Sequence, residues 1–100
     1  MHDVLLSLIL PEDVSRLAQD LLLGHPDLVD GFTATPVDGH GAAVRLVAAG
    51  ELVSGHAPRV QIQIVGEIAA MRAVLALLRE HLPRANLYYW LLPVLEAGRT

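Results

Sequence analysis

The sequence predicts an α+β domain of β-α-β-β-α-β order, with a four-stranded antiparallel sheet carrying both helices on one face. Three observations carry this. Two amphipathic helical stripes each follow a short apolar or alternating run. The two halves resemble each other: each runs strand, helix, His/Pro turn, strand, then Pro-Val, at Pro36-Val37 and Pro93-Val94. The chain is 100 residues, enough for one domain spanning 1–100.

The first strand is the run Val4 to Leu10, closed by Pro11. Leu6, Leu8 and Leu10 point one way and Leu5, Ser7 and Ile9 the other. Both faces are largely apolar, which predicts a central strand. Pro11 suits the first turn of a helix, where its missing N–H costs nothing. Glu12 and Asp13 complement the positive helix end. Val14, Leu17, Ala18, Leu21 and Leu22 recur at helical spacing, and Gly24 with Pro26 ends the element, so the helix is expected over 11–23.

A second strand is expected over 28–37, with Phe32, Ala34 and Pro36 on one face and Thr33, Thr35 and Val37 on the other. Pro36 predicts that regular pairing stops there. Asp38-Gly39-His40-Gly41 is the strongest turn signal, and the span 38–58 reads as one long loop with an unstable helical turn. Such a loop in a small domain is usually functional. Arg59 to Val65 alternates, setting Val60, Ile62 and Ile64 against Gln61, Gln63 and Val65. Gly66 ends it. Ile68, Met71, Val74, Leu75, Leu78 and Leu82 then form the stripe of a second helix, stopped by Pro83. The last strand is expected over 86–95, apolar on both faces.

This order matches the ferredoxin-like split βαβ plan. Right-handed crossovers place both helices on one side of the sheet. The other side, with Leu5, Ile9, Tyr88 and Trp90, is left as an apolar patch, which predicts self-association. Composition agrees. Hydrophobic residues make up 53% and charged residues 18%, more apolar than the roughly 45–50% and ~25% of an ordinary domain. No apolar run approaches the ~18–20 residues of a spanning helix, so direct membrane insertion is not expected.

The net charge is −4 and the seven arginines are scattered, which argues against nucleic acid as a partner. The absence of cysteine excludes disulfides and thiolate metal sites. With no signal-peptide pattern at Met1-His2-Asp3, it points to the cytoplasm.

His40 and His56 stand out among five histidines, because each has a glycine neighbour and each lies at one base of the long loop. With Glu51 or Asp38 they could hold a divalent ion through nitrogen and oxygen. Their spacing matches no known zinc pattern, and solvated or structural roles account for them better than a metal does. His25 and His81 fit helix C-terminal caps, and His2 fits a solvated terminus. Gly39-His40-Gly41 follows a strand and could form an anion-binding nest, although turn geometry alone explains its glycines. Tyr88-Tyr89-Trp90 fits core and interface packing better than base stacking. No nucleophile, base and carboxylate fall into a catalytic pattern, so the chain is not expected to be an enzyme.

Gly31-Phe32-Thr33, Gly39-His40-Gly41 and the stretch from Tyr89 to Gly98 resemble a proteobacterial family known as domain of unknown function 3240. That family looks like a branch of the PII/CutA-like superfamily, often encoded beside heavy-metal efflux systems. The resemblance implies a homotrimer with its sheets around an axis. It implies that the segment 38–58 corresponds to the PII T-loop, which docks on partners. It places a ligand-binding region at Gly39, His40, Gly41 and the loop's far end near His56 and Arg59, while the reading of the histidines keeps His40, His56 and Glu51 as a metal alternative. The Lys/Arg cluster with which PII proteins hold ATP is not evident; Arg59 and Arg99 are the nearby candidates. The implied function is a PII-like regulator that senses a small ligand or metal ion and acts on a partner, such as a membrane efflux pump. The alternatives are a CutA-like divalent-metal buffer and a nucleotide-binding sensor.

Overall fold

The structure is a computed structural model that describes residues 3–40 and 57–100. Described elements follow the order β1 (Val4–Pro11), α1 (Glu12–Leu23), β2 (Thr33–Gly39), β3 (Ala57–Gly66), α2 (Ile68–His81) and β4 (Tyr88–Pro93). They form one four-stranded sheet, β2-β3-β1-β4, antiparallel at every neighbour. This is the ferredoxin-like architecture that the repeat and the two helical stripes predict.

β1 is central and buried on both faces. Leu6, Leu8 and Leu10 are fully buried, and so is Ser7 on the opposite side. The leucines join Ile62 and Ile64 of β3 beneath Ala18 and Leu22 of α1 and Met71, Val74 and Leu78 of α2, making one core. Both stripes therefore meet the same sheet face, as right-handed crossovers require. α1 has no side-chain cap at its start, where Glu12 and Asp13 face the helix dipole. At its end the Gly24 N–H donates to the carbonyls of Asp20 and Leu21. Gly24 lies at φ −78°, so no left-handed turn is used there.

Several boundaries differ from the sequence expectation. Pro11 is the last residue of β1, paired with Arg59, and the helix begins at Glu12. β2 starts at Thr33, five residues later than expected. The carbonyl of His25 accepts the N–H groups of Leu28 and Val29, so that stretch closes as a turn and Val29 reaches the core without extending. β2 also runs past Pro36 to Gly39, opposite Val60 to Ala57. Proline is tolerated because β2 is an edge strand, whose outer side needs no N–H donor. Thus Asp38, Gly39, Ala57 and Pro58, expected in the long loop, belong to the β2–β3 ladder. The rest of that loop, residues 41–56, lies outside the described residues. β4 is shorter than expected, and Asn86, placed in the strand by its pattern, is a left-handed turn residue at φ 53°.

Candidate functional site

Alternation along the ladders sorts the sheet into two faces. The pairs Leu5↔Val65, Ser7↔Gln63 and Pro11↔Arg59 lie away from the helices, as do Thr35↔Gln61 and Val37↔Arg59 on the β2 side. Leu92, Trp90 and Tyr88 of β4 continue the same face opposite Leu5, Ser7 and Ile9. This is the open apolar face predicted from sequence. Tyr88 is 68% exposed and Leu92 48%, while Leu5, Ile9 and Trp90 are half-buried. The Tyr88 and Trp90 rings meet in a tilted contact with centroids 5.8 Å apart.

The ends of β2 and β3 gather part of the expected ligand region. Gly39 closes β2 and His40 follows it, exposed. Arg59 stands on β3 next to Val37, two pairs from Gly39. It is only 5% exposed, and its Nη1 donates to the Pro58 carbonyl at 3.0 Å. Asp38, His40 and Arg59 all take part in further interactions. The site thus offers a cation at the root of the 38–58 segment, across from Val37, with Asp38 and His40 following along β2 and its end. Gly41, Glu51 and His56 lie outside the described residues. Among the described residues, no three His, Asp or Glu side chains gather closely enough to hold a metal ion.

Arg99 does not join Arg59 within one chain. It lines a cleft of about 600 Å3 with Leu5, Thr33, Gln63 and Val65, under the tail residues Ala97 and Gly98. Gln63 is four positions along β3 from Arg59, about 13 Å at the rise of a strand. Alternation along a single strand gives no hint that the C-terminal tail turns back over the sheet, so the sequence reading missed this cleft. The same reading could not find the buried Ser7 hydroxyl, which has no hydrogen-bond partner among the described residues. His25 does act as a helix cap: its Nδ1–H donates to the Leu21 carbonyl at 2.8 Å.

These features define an α+β ferredoxin-like domain with a sheet face that neither described helix covers and a cationic strand-end site. The family model described as "Protein of unknown function (DUF3240)" matches residues 1–100, and the chain belongs to that family. A DUF3240 family protein from Shewanella baltica has the same fold, with 22% identity, a TM-score of 0.71, and coverage of 100% of this chain and 98% of that one. CPII, a nitrogen regulatory PII-like protein from Thiomonas intermedia bound to ADP, AMP and bicarbonate, is 17% identical, with a TM-score of 0.71 and coverage of 100% and 97%. CutA from Synechococcus elongatus, complexed with Bis-Tris, is 15% identical, with a TM-score of 0.68 and coverage of 98% and 86%. At these identities the likeness establishes the fold, that of the PII-like and CutA proteins. No curated protein matches the sequence. No helix among the described residues is long and apolar enough to cross a membrane.

Proposed function

We propose that this chain is a trimeric, non-enzymatic PII-like regulator that binds a small ligand at the root of its 38–58 segment and passes that state to a partner protein. The observation that carries the reading is Arg59: a nearly buried cation where the two strands enter the segment. A cation's field favours an anion, and Gly39 supplies backbone that can approach one closely. CPII, of the same fold, was solved with nucleotides and bicarbonate, so a nucleotide or smaller anion is the leading ligand class. Partner docking belongs to the segment itself and follows the ligand state. A heavy-metal efflux system in the membrane is the partner this reading favours, with the regulator in the cytoplasm.

Exposed His40 at the end of β2 supports a second reading, in which His40, His56 and Glu51 hold a divalent metal as in a CutA-like buffer. His40 is the one member of that set among the described residues, so the donor set remains a proposal resting on sequence.

Native mass spectrometry of metal-free protein separates these readings. Cu2+, Zn2+, Ni2+, ATP, ADP, AMP and bicarbonate are added one at a time to wild type, His40→Ala and Arg59→Gln. The expected result is a trimer gaining one anion per subunit, with binding weakened at least about tenfold in Arg59→Gln, the loss expected for one charge-assisted contact. Selective metal uptake abolished by His40→Ala supports the second reading instead. A trimer that takes up nothing overturns both.

A further inference from the structure

A second cleft lies on the helix side of the sheet, where the end of α2 and the turn into β4 part from each other. It has a volume of about 340 Å3. Tyr89, which pairs with Leu8, is on the core face of β4, whereas Arg59, by alternation, is on the open face. The sheet therefore separates this cleft from the strand-end site.

The chemistry of the cleft is asymmetric. Leu75, Leu78 and Leu82 supply apolar lining. Arg79, Asn86 and Tyr89 are the hydrogen-bonding side chains that line it. Among the described residues Arg79 is held by the tyrosine alone: its Nη2 donates to Tyr89 Oη at 3.4 Å, and its guanidinium carbon is 5.8 Å from the ring centroid. A tyrosine orients a guanidinium without neutralising it. A hydrogen bond that long is weak, so little is lost when a charged acceptor replaces it. Asn86 sits at φ 53°, an uncommon conformation for a residue with a side chain, and this turn forms the rim of the cleft.

We propose that this cleft binds a small apolar carboxylate, an aryl or short-chain alkyl acid. The planar guanidinium fork matches a carboxylate through two parallel hydrogen bonds. Tyr89 Oη and the Asn86 amide are further donors, and the leucines take the apolar body. The volume falls at the lower end of the about 300–1,000 Å3 usual for small-molecule sites, which suits an acid the size of benzoate. Polyphosphates fit poorly, because one arginine against leucines cannot neutralise several charges.

The test is a titration of the 15N-labelled full chain with sodium benzoate, followed in 1H–15N correlation spectra, with benzyl alcohol as the neutral isostere. Benzoate is expected to give saturable shifts at the backbone amides of Leu82, residues 84–87 and Tyr89, and the alcohol to bind at least about tenfold more weakly. Arg79→Gln, an exposed substitution between good helix formers, is expected to weaken benzoate by about tenfold. Arg79→Lys is expected to recover part of that loss, while Arg72→Gln, exposed on the same helix and outside the lining, leaves affinity unchanged. No saturable shift at millimolar benzoate, equal affinity in Arg79→Gln, or equal affinity for the alcohol overturns the proposal. The readout is confined to the cleft, so it stands or falls independently of ligand binding at the 38–58 segment.

Discussion

At the scale of single residues, two buried polar groups behave differently. Arg59 is charged and hydrogen-bonded, so its burial marks a place where a ligand or neighbouring group gains from its field. Ser7 is neutral. It is fully buried on the open-face side of β1, between Gln63 and Trp90 in the ladders, and its Oγ has no partner among the described residues. Folding strips that hydroxyl of water and returns nothing to it. Ser7→Ala is therefore expected to stabilise the chain by about 1 kcal/mol, the low end of the penalty for an unsatisfied buried polar group. The loss of one oxygen's volume opposes this only slightly. Urea denaturation compares the two proteins, and a lower midpoint for Ser7→Ala at unchanged slope shows instead that the hydroxyl is satisfied in solution.

At the scale of elements, tight contacts set where strands hand over to helices. Gly66 ends β3 just before α2, and a Cβ built there would lie 2.8 Å from Met71 Cε. Met71 is fully buried, so its flexible end has little room to withdraw. Gly66→Ala is expected to cost about 1–2 kcal/mol by overpacking, read as a drop in the denaturation midpoint. Val60→Ala and Ile62→Ala on the same strand cost more, through cavities, so the ranking of the three separates a steric handover from ordinary core loss.

The elements also show what sequence patterning can and cannot carry. The leucine alternation of β1 and the stripes of α1 and α2 were legible because burial on one fixed face imposes a period. The start of β2 was not: Leu28 and Val29 have strand-like chemistry, yet backbone hydrogen bonds to His25 close them into a turn. Pro36 misled for a related reason. A proline stops pairing only where its N–H is needed, and whether a strand lies at an edge is a property of the sheet. The candidate site divides in the same way. Gly39 and His40 were found by local turn chemistry, and Arg59 by its place beside the loop. The burial of Arg59, the distance separating Arg99 from it, and the cleft around Arg79 depend on which strands become neighbours, and no local pattern encodes that.

At the scale of the whole molecule, the dominant fact is that both described helices pack on one side of the sheet. The helices shield Leu6, Leu8 and Leu10, while across the sheet Tyr88, Trp90, Leu92, Leu5 and Ile9 form a continuous apolar strip along β1 and β4. A 100-residue domain has a modest core, and leaving such a strip in water forfeits stabilisation that association recovers. A charge in the strip must then act on assembly before it acts on folding. Leu92 is suited to this test, since it is 48% exposed in the subunit and stands opposite Leu5 on the open face. Leu92→Asp leaves the helix-side core untouched, so the isolated subunit is expected to keep its far-ultraviolet circular dichroism. An interface that buries this position must desolvate an unpaired carboxylate, a cost of several kcal/mol repeated at each symmetry-related contact. The proposed trimer is thus expected to dissociate by at least about a hundredfold in apparent affinity. Its melting temperature then falls as well, because folding loses the stabilisation of assembly. Light scattering coupled to size-exclusion chromatography reads the mass directly. A variant that stays trimeric places the subunit contact elsewhere, whereas a wild-type chain that runs as a folded monomer removes the assembly and the regulatory reading built on it.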